Sequence, residues 1–145
     1  MSGFDASALD PYVAATIMDT VTGQKELETL EIVEVGPGHV VFEADAPESV
    51  MNYHRTIHGG YLATVSELAA GMAVYAYGLS SFAVAASTNF VKAVGMGRLV
   101  VKADPVHKGR TTAVIRCVVE TPEGALIAES TYTMLILGPL EGLRQ

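Results

Sequence analysis

The 145-residue sequence predicts an α+β fold, an antiparallel sheet wrapped around one long central helix with a short helix at the N-terminal end. Three observations carry this prediction. Leu62, Val65, Ala69, Met72, Ala73 and Ala76 recur at three- and four-residue steps, which predicts a helix from about residue 59 to 77. That helix is apolar on most sides, so other elements must enclose it. Two strand-like segments precede it and four follow, each bounded by glycine or proline turns.

In chain order, Asp10 and Pro11 form a helix cap and first-turn proline, and Val13, Ala14, Ile17 and Met18 supply a short apolar face. This helix is expected to cover a sheet edge or a cleft. Residues 27–35 alternate acidic and apolar side chains, Gly36-Pro37-Gly38 breaks the run, and 40–44 resume it, which predicts a hairpin. Residues 45–57 read as a loop leading into the long helix. Residues 82–94 form a long strand with little charge, which implies burial on both faces or pairing with a partner subunit. After the Gly95-Met96-Gly97 turn come strands at 98–106, 111–121 and 125–137. They are joined by turns at Lys108-Gly109-Arg110 and Pro122-Glu123-Gly124, and so form a meander.

No linker, repeat or low-complexity block divides residues 1–145, so one domain is expected, large enough to bury ~68% of its unfolded surface. Half the residues are hydrophobic and 17% are charged, so much apolar surface must be hidden within or between chains. The N-terminal stretch lacks the basic start and apolar core of a secretory signal. Residues 61–79 have the length of a membrane span, but Glu67 inside it would cost ~2.5–3.5 kcal/mol on insertion scales. Cys117 is the only cysteine, which precludes an internal disulfide and fits a reducing, cytoplasmic setting.

A net charge of −7 argues against nucleic acid as a partner. The charge is uneven. Lys92, Arg98, Lys102, Lys108, Arg110 and Arg116 fall in a stretch whose only acid is Asp104, which leaves that stretch at +5 and the rest at −12. Such a patch suits a small polyanion, although each cation also has a plain reading as a solvated strand residue.

Between Arg55 and Lys92 the only formal charge is Glu67, inside the most apolar helical run. An ionised, unpaired and buried carboxylate would be expensive, so Glu67 is expected to be raised in pKa, hydrogen-bonded, or facing a cleft. All three are common in a working acid or base. His58 immediately precedes Gly59 and Gly60, whose free N–H groups at the positive helix end leave room for a carbonyl oxygen. Glu67 lies roughly 12 Å further along at ~1.5 Å per residue, too far for one chain to grip a small reacting centre with both groups. A dimer with antiparallel helices would close that gap. His54 and His58 have zinc-like spacing but no second pair, so neither a metal site nor a cofactor is expected. Ser66 lacks the G-x-S-x-G elbow of a serine hydrolase.

An order of β-β-α-β-β-β-β, with Asn52, then His58-Gly59-Gly60 opening the central helix, and a carboxylate nine residues after the histidine, resembles the hotdog-fold acyl-CoA thioesterases. The similarity is to their phenylacetyl-CoA thioesterase (PaaI-like) branch, which includes hydroxybenzoyl-CoA thioesterases, and it spans roughly residues 25–138. The resemblance implies hydrolysis of aromatic or short-to-medium acyl-CoA by a cytoplasmic homo-oligomer, a dimer or dimer of dimers, with sites at the subunit interface. It makes Glu67 the nucleophile or general base and the Gly59 amide the group that polarises the thioester carbonyl. His58 and Asn52 would hold the thioester or the water, with Gly60 beside them, and Lys108, Gly109 and Arg110 would receive the nucleotide phosphates of CoA. The plain readings are a structural carboxylate for Glu67, a helix cap or a bond to a main-chain carbonyl for His58, and a turn residue for Asn52. One departure stands out: the position one turn after the carboxylate, where such enzymes often carry a hydroxyl or carboxyl, is Gly71. Water or another residue then takes that role, or the pocket is opened there for a bulkier acyl group. The same scaffold also serves non-catalytic acyl-CoA or small-ligand binding modules, the alternative reading, and hydratases or dehydratases.

Overall fold

The computed structural model describes residues 9–140, and the elements follow the predicted order. They are α1 (Pro11–Asp19), β1 (Glu31–Gly36), β2 (His39–Asp45), α2 (Gly59–Tyr75), β3 (Leu79–Phe90), β4 (Arg98–Lys108), β5 (Thr112–Glu120) and β6 (Leu126–Pro139). The Asp10 carboxylate accepts the Tyr12 N–H at 2.8 Å and caps α1. Of the predicted α1 face, Val13 and Ile17 are buried, while Ala14 is half-buried and Met18 exposed.

The six strands form one antiparallel sheet in the order β1-β2-β4-β5-β6-β3. This is the hotdog arrangement: β4, β5 and β6 are the meander, and the chain leaves β2, runs through α2 and joins the far edge as β3. The register stacks Phe42, Val101, Val119 and Ala128 in one row across four strands, all fully buried. On α2, the fully buried Val65, Ala69, Met72 and Ala73 belong to the same core. A buried Val, Leu, Phe or Met contributes ~1.5–3 kcal/mol, so the interface between helix and sheet dominates stability.

Two strand boundaries differ from expectation. Residues 27–30 are not strand: Lys25–Leu27 forms a single 3-10 turn with Leu27 buried, and β1 begins at Glu31. β3 is displaced toward the N-terminus of the predicted segment. Gly78, at φ 79, lets the chain reverse straight after α2, so pairing starts at Leu79 opposite Pro139. At the other end Val91 and Lys92 both donate to the Ile127 carbonyl, and residues 91–97 leave the sheet. β3 is an edge strand, with Phe82 64% and Val84 58% exposed, so the expectation of burial on both faces is not met within this chain.

The basic stretch is also less of a patch than its sum implies. Arg98 reaches Glu31 at 2.8 Å, Glu43 at 3.2 Å and Asp45 at 3.4 Å, which ties β1 and β2 to β4. Lys102 pairs with Glu120 at 2.8 Å, and Arg116 with Glu129. Lys92, Lys108 and Arg110 are left without a carboxylate partner among the described residues. His39 bridges Glu34 and Asp104 at 2.7 Å each. Among the described residues no helix is long and apolar enough to cross a membrane.

Candidate active site

The sheet covers most of α2 but leaves one stripe open. Gly60, Thr64, Glu67, Gly71 and Tyr75 follow one another at three- and four-residue steps, with Leu68 beside Glu67, and none of them is buried. Beside this stripe lies a cleft of about 380 Å³, walled by Thr20 and Gln24 after α1, by Ser81 to Ala83 on β3 and by Met134 on β6. A second cavity, about 320 Å³, shares Gln24 and Thr64 with the first and extends to Tyr61 and His58. Together they make a trough along α2 from its start to Tyr75, with Gln24 and Thr64 at the junction.

Glu67 is exposed in the larger cleft and makes no hydrogen bond or ion pair among the described residues. Its carboxylate thus faces a cleft, as one of the expected placements had it. At the helix start the N–H groups of Gly59 and Gly60 have no acceptor among the described residues, whereas Tyr61 and Leu62 both donate to the His58 carbonyl. Gly59 is held bare by a neighbour: a Cβ there would stand 3.0 to 3.3 Å from the Phe90 ring. His58 occupies the N-cap position, but its side chain makes no capping bond, and the residue lines the smaller cavity.

Asn52 is placed differently. Its Oδ1 accepts the N–H groups of His54 (2.9 Å) and Thr56 (3.1 Å), and its Nδ2 donates to Thr56 Oγ1 at 2.8 Å. That network fixes the turn before α2, in which Arg55 adopts φ 62, and Asn52 lines neither cavity. The Lys108-Gly109-Arg110 turn also lies apart from the trough. Gly109 N–H donates to Thr112 O at 2.8 Å, and Lys108 Nζ sits 5.3 Å from the centre of the Tyr77 ring, just beyond the C-terminal end of α2. Gly71 lies in the cleft. Its φ is not in the left-handed region, and an added Cβ would meet nothing within 4 Å. Glycine at such a site costs about 1 kcal/mol relative to alanine with no packing reason inside the chain.

Sequence reasoning missed Thr64, Gln24, Thr20, Phe82 and Met134 as cleft residues. Thr64 is three residues before Glu67 and so on its face, which extending the helical period from the carboxylate would have found. Gln24 and Met134 reach the cleft through tertiary placement, with no local signal. Among the described residues no group of His, Cys, Asp or Glu could hold a metal ion.

Residues 54–128 match the family model described as Thioesterase superfamily. The chain belongs to that family. A hypothetical thioesterase from Streptococcus pneumoniae TIGR4, solved with coenzyme A, is 34% identical with a TM-score of 0.76, over 79% of this chain and 90% of that one. The Escherichia coli PaaI protein of the phenylacetic acid degradation operon shares the fold with a TM-score of 0.79 at 21% identity, over 86% and 91% of the two chains. The putative esterase Rv1847 of Mycobacterium tuberculosis is 29% identical over 106 residues, covering 69% of this chain and 75% of the relative.

As a thioesterase, the protein is a thioester hydrolase, and two obvious side-chain nucleophiles are poorly placed for that chemistry. Ser66 is buried and donates to Leu62 O at 2.8 Å. Cys117 is buried with its thiol on Ser66 O at 3.3 Å, and burial pushes that thiol up to about 12. Burial, followed by the proximity of Cys117 and more weakly of Glu67, raises the Tyr132 phenol, which stays protonated and donates to Ala63 O at 3.0 Å. Among the described residues, Glu67 is the one carboxylate on the wall of the larger cleft, and Glu26 lines the smaller cavity.

Proposed function

We propose that the protein hydrolyses aromatic or short-to-medium acyl-CoA to the free acid and CoA, with residues 1–145 acting as one hotdog domain. The observation that carries this reading is Glu67, unpaired in a cleft on the same helix that begins with two unsatisfied amides. Thioester hydrolysis builds negative charge on the carbonyl oxygen, and one well-placed donor lowers the barrier by ~2.7–4 kcal/mol. The Gly59 N–H is that donor, with Gly60 leaving the approach clear. Glu67 attacks as a nucleophile or draws a proton from the attacking water. His58, at the head of the trough, orients the thioester or the water, and Asn52 supports it by fixing the turn that delivers His58.

Donor and carboxylate are roughly 12 Å apart along one helix, so each site takes one from each of two protomers in a homo-oligomer, a dimer or a dimer of dimers. The exposed edge strand β3, with Phe82 and Val84 bare, supports such pairing. Lys108, Gly109 and Arg110 receive the CoA phosphates. Two observations support this: among the described residues both cations are free of carboxylates, and the Streptococcus pneumoniae relative was solved with coenzyme A. The lone, buried Cys117 supports a cytoplasmic setting.

The test is thiol release from a panel of CoA thioesters. Glu67→Gln and Glu67→Ala are expected to lose at least ~10²-fold in kcat while melting temperature and oligomeric state stay as in the wild type. Wild-type turnover in both variants would refute the assignment.

A further inference from the structure

We infer that Gly71 is a specificity-determining residue, and that the missing side chain admits acyl groups that are broad close to the carbonyl, aryl-bearing or branched ones, in preference to slim linear chains. This rests on the proposed function and names the substrate class of the same site. Gly71 sits near the middle of a 17-residue helix with no left-handed backbone to require glycine. Among the described residues no neighbouring atom requires it either, because a Cβ would meet nothing within 4 Å. This sets it apart from Gly59, where the Phe90 ring occupies the space. The space a side chain at 71 would take is the cleft itself.

Its position fixes what kind of bulk the space receives. Gly71 is one turn beyond Glu67, about 6 Å along the axis, so an acyl group that runs from a carbonyl at the carboxylate toward Tyr75 has its first atoms over the bare backbone. The surrounding walls are Leu68, Tyr75, Phe82 and Met134, apolar surfaces that include two aromatic rings and a thioether, all good partners for a ring. A linear chain is too slender to need the missing Cβ. A ring or a branch within two bonds of the carbonyl does need it.

The test compares wild type with Gly71→Ala and Gly71→Leu in two assays. In thiol release, kcat/KM for phenylacetyl-CoA relative to butanoyl-CoA is expected to fall by roughly 10–200-fold in Gly71→Leu and by a few-fold in Gly71→Ala. In calorimetric binding, the non-hydrolysable thioether phenacyl-CoA is expected to weaken at least tenfold relative to free CoA in Gly71→Leu. Unchanged ratios in both assays would overturn the inference. So would loss of the wild-type oligomer in Gly71→Ala, because a partner backbone would then be what occupies the space. A wild-type protein that releases no thiol from any substrate defeats the thioesterase reading alone, and the binding assay still decides the role of Gly71.

Discussion

Gly71→Ala should make the protein more stable. The replaced residue has a helical backbone, its new methyl group meets nothing within 4 Å, and no hydrogen bond is disturbed. What remains is intrinsic: alanine is favoured over glycine in a helix interior by about 0.5–1 kcal/mol, partly because glycine leaves the unfolded chain more freedom to lose. The methyl projects into a cleft, so additional burial adds little. For a domain of this size ~1 kcal/mol corresponds to a rise in melting temperature of roughly 2–4 °C. Thermal unfolding followed by circular dichroism, at matched protein concentration because assembly itself shifts the midpoint, measures it directly. A fall of more than about 2 °C would mean that something outside this chain lies against Gly71, and the reasoning from empty space would be wrong.

Two further outcomes follow from other contacts. Gly59→Ala places a Cβ 3.0 Å from the Phe90 ring, so ring or helix start must shift; kcat/KM should fall roughly 10- to 100-fold, and adding Phe90→Ala should restore part of it in a double-mutant cycle. The His39 pKa is raised above 6.5, chiefly by its hydrogen bond to Glu34, against an opposing burial effect and with help from Asp104. Charged His39 therefore stabilises the fold fully below about pH 6.5, and this contribution is lost as pH rises through the raised value. His39→Gln should lower the melting temperature more at about pH 5.5 than at about pH 8.5, and an equal decrement at both would refute the linkage.

The central helix was legible because a 3.6-residue period over 17 residues is a local signal, and so were the turns marked by glycine and proline. Glu67 and the His58–Gly60 opening were legible for the same reason: each is defined by its place on that helix. What escaped depends on distance along the chain. The alternation of residues 27–30 resembles the strand it precedes, yet Leu27 is drawn inward by the core and the backbone takes a 3-10 turn instead. Residues 91–94 are apolar enough for a strand, but the sheet offers Val91 and Lys92 a single carbonyl between them. Summing charge over 92–116 overstated the basic patch, since the partners of Arg98 sit at Glu31, Glu43 and Asp45, more than fifty residues earlier. Gln24 and Met134 enter the cleft only because α1 and β6 are folded against α2.

The open stripe of α2 works as a graduated scale. Each rung, from Gly60 through Thr64, Glu67 and Gly71 to Tyr75, stands about one turn from the next, while the opposite faces of the same helix are locked into the sheet by Val65, Ala69 and Met72. Alterations on the rungs leave those anchoring contacts untouched. A lineage carrying this scaffold can therefore retune which molecules fit, rung by rung, without renegotiating how the chain folds.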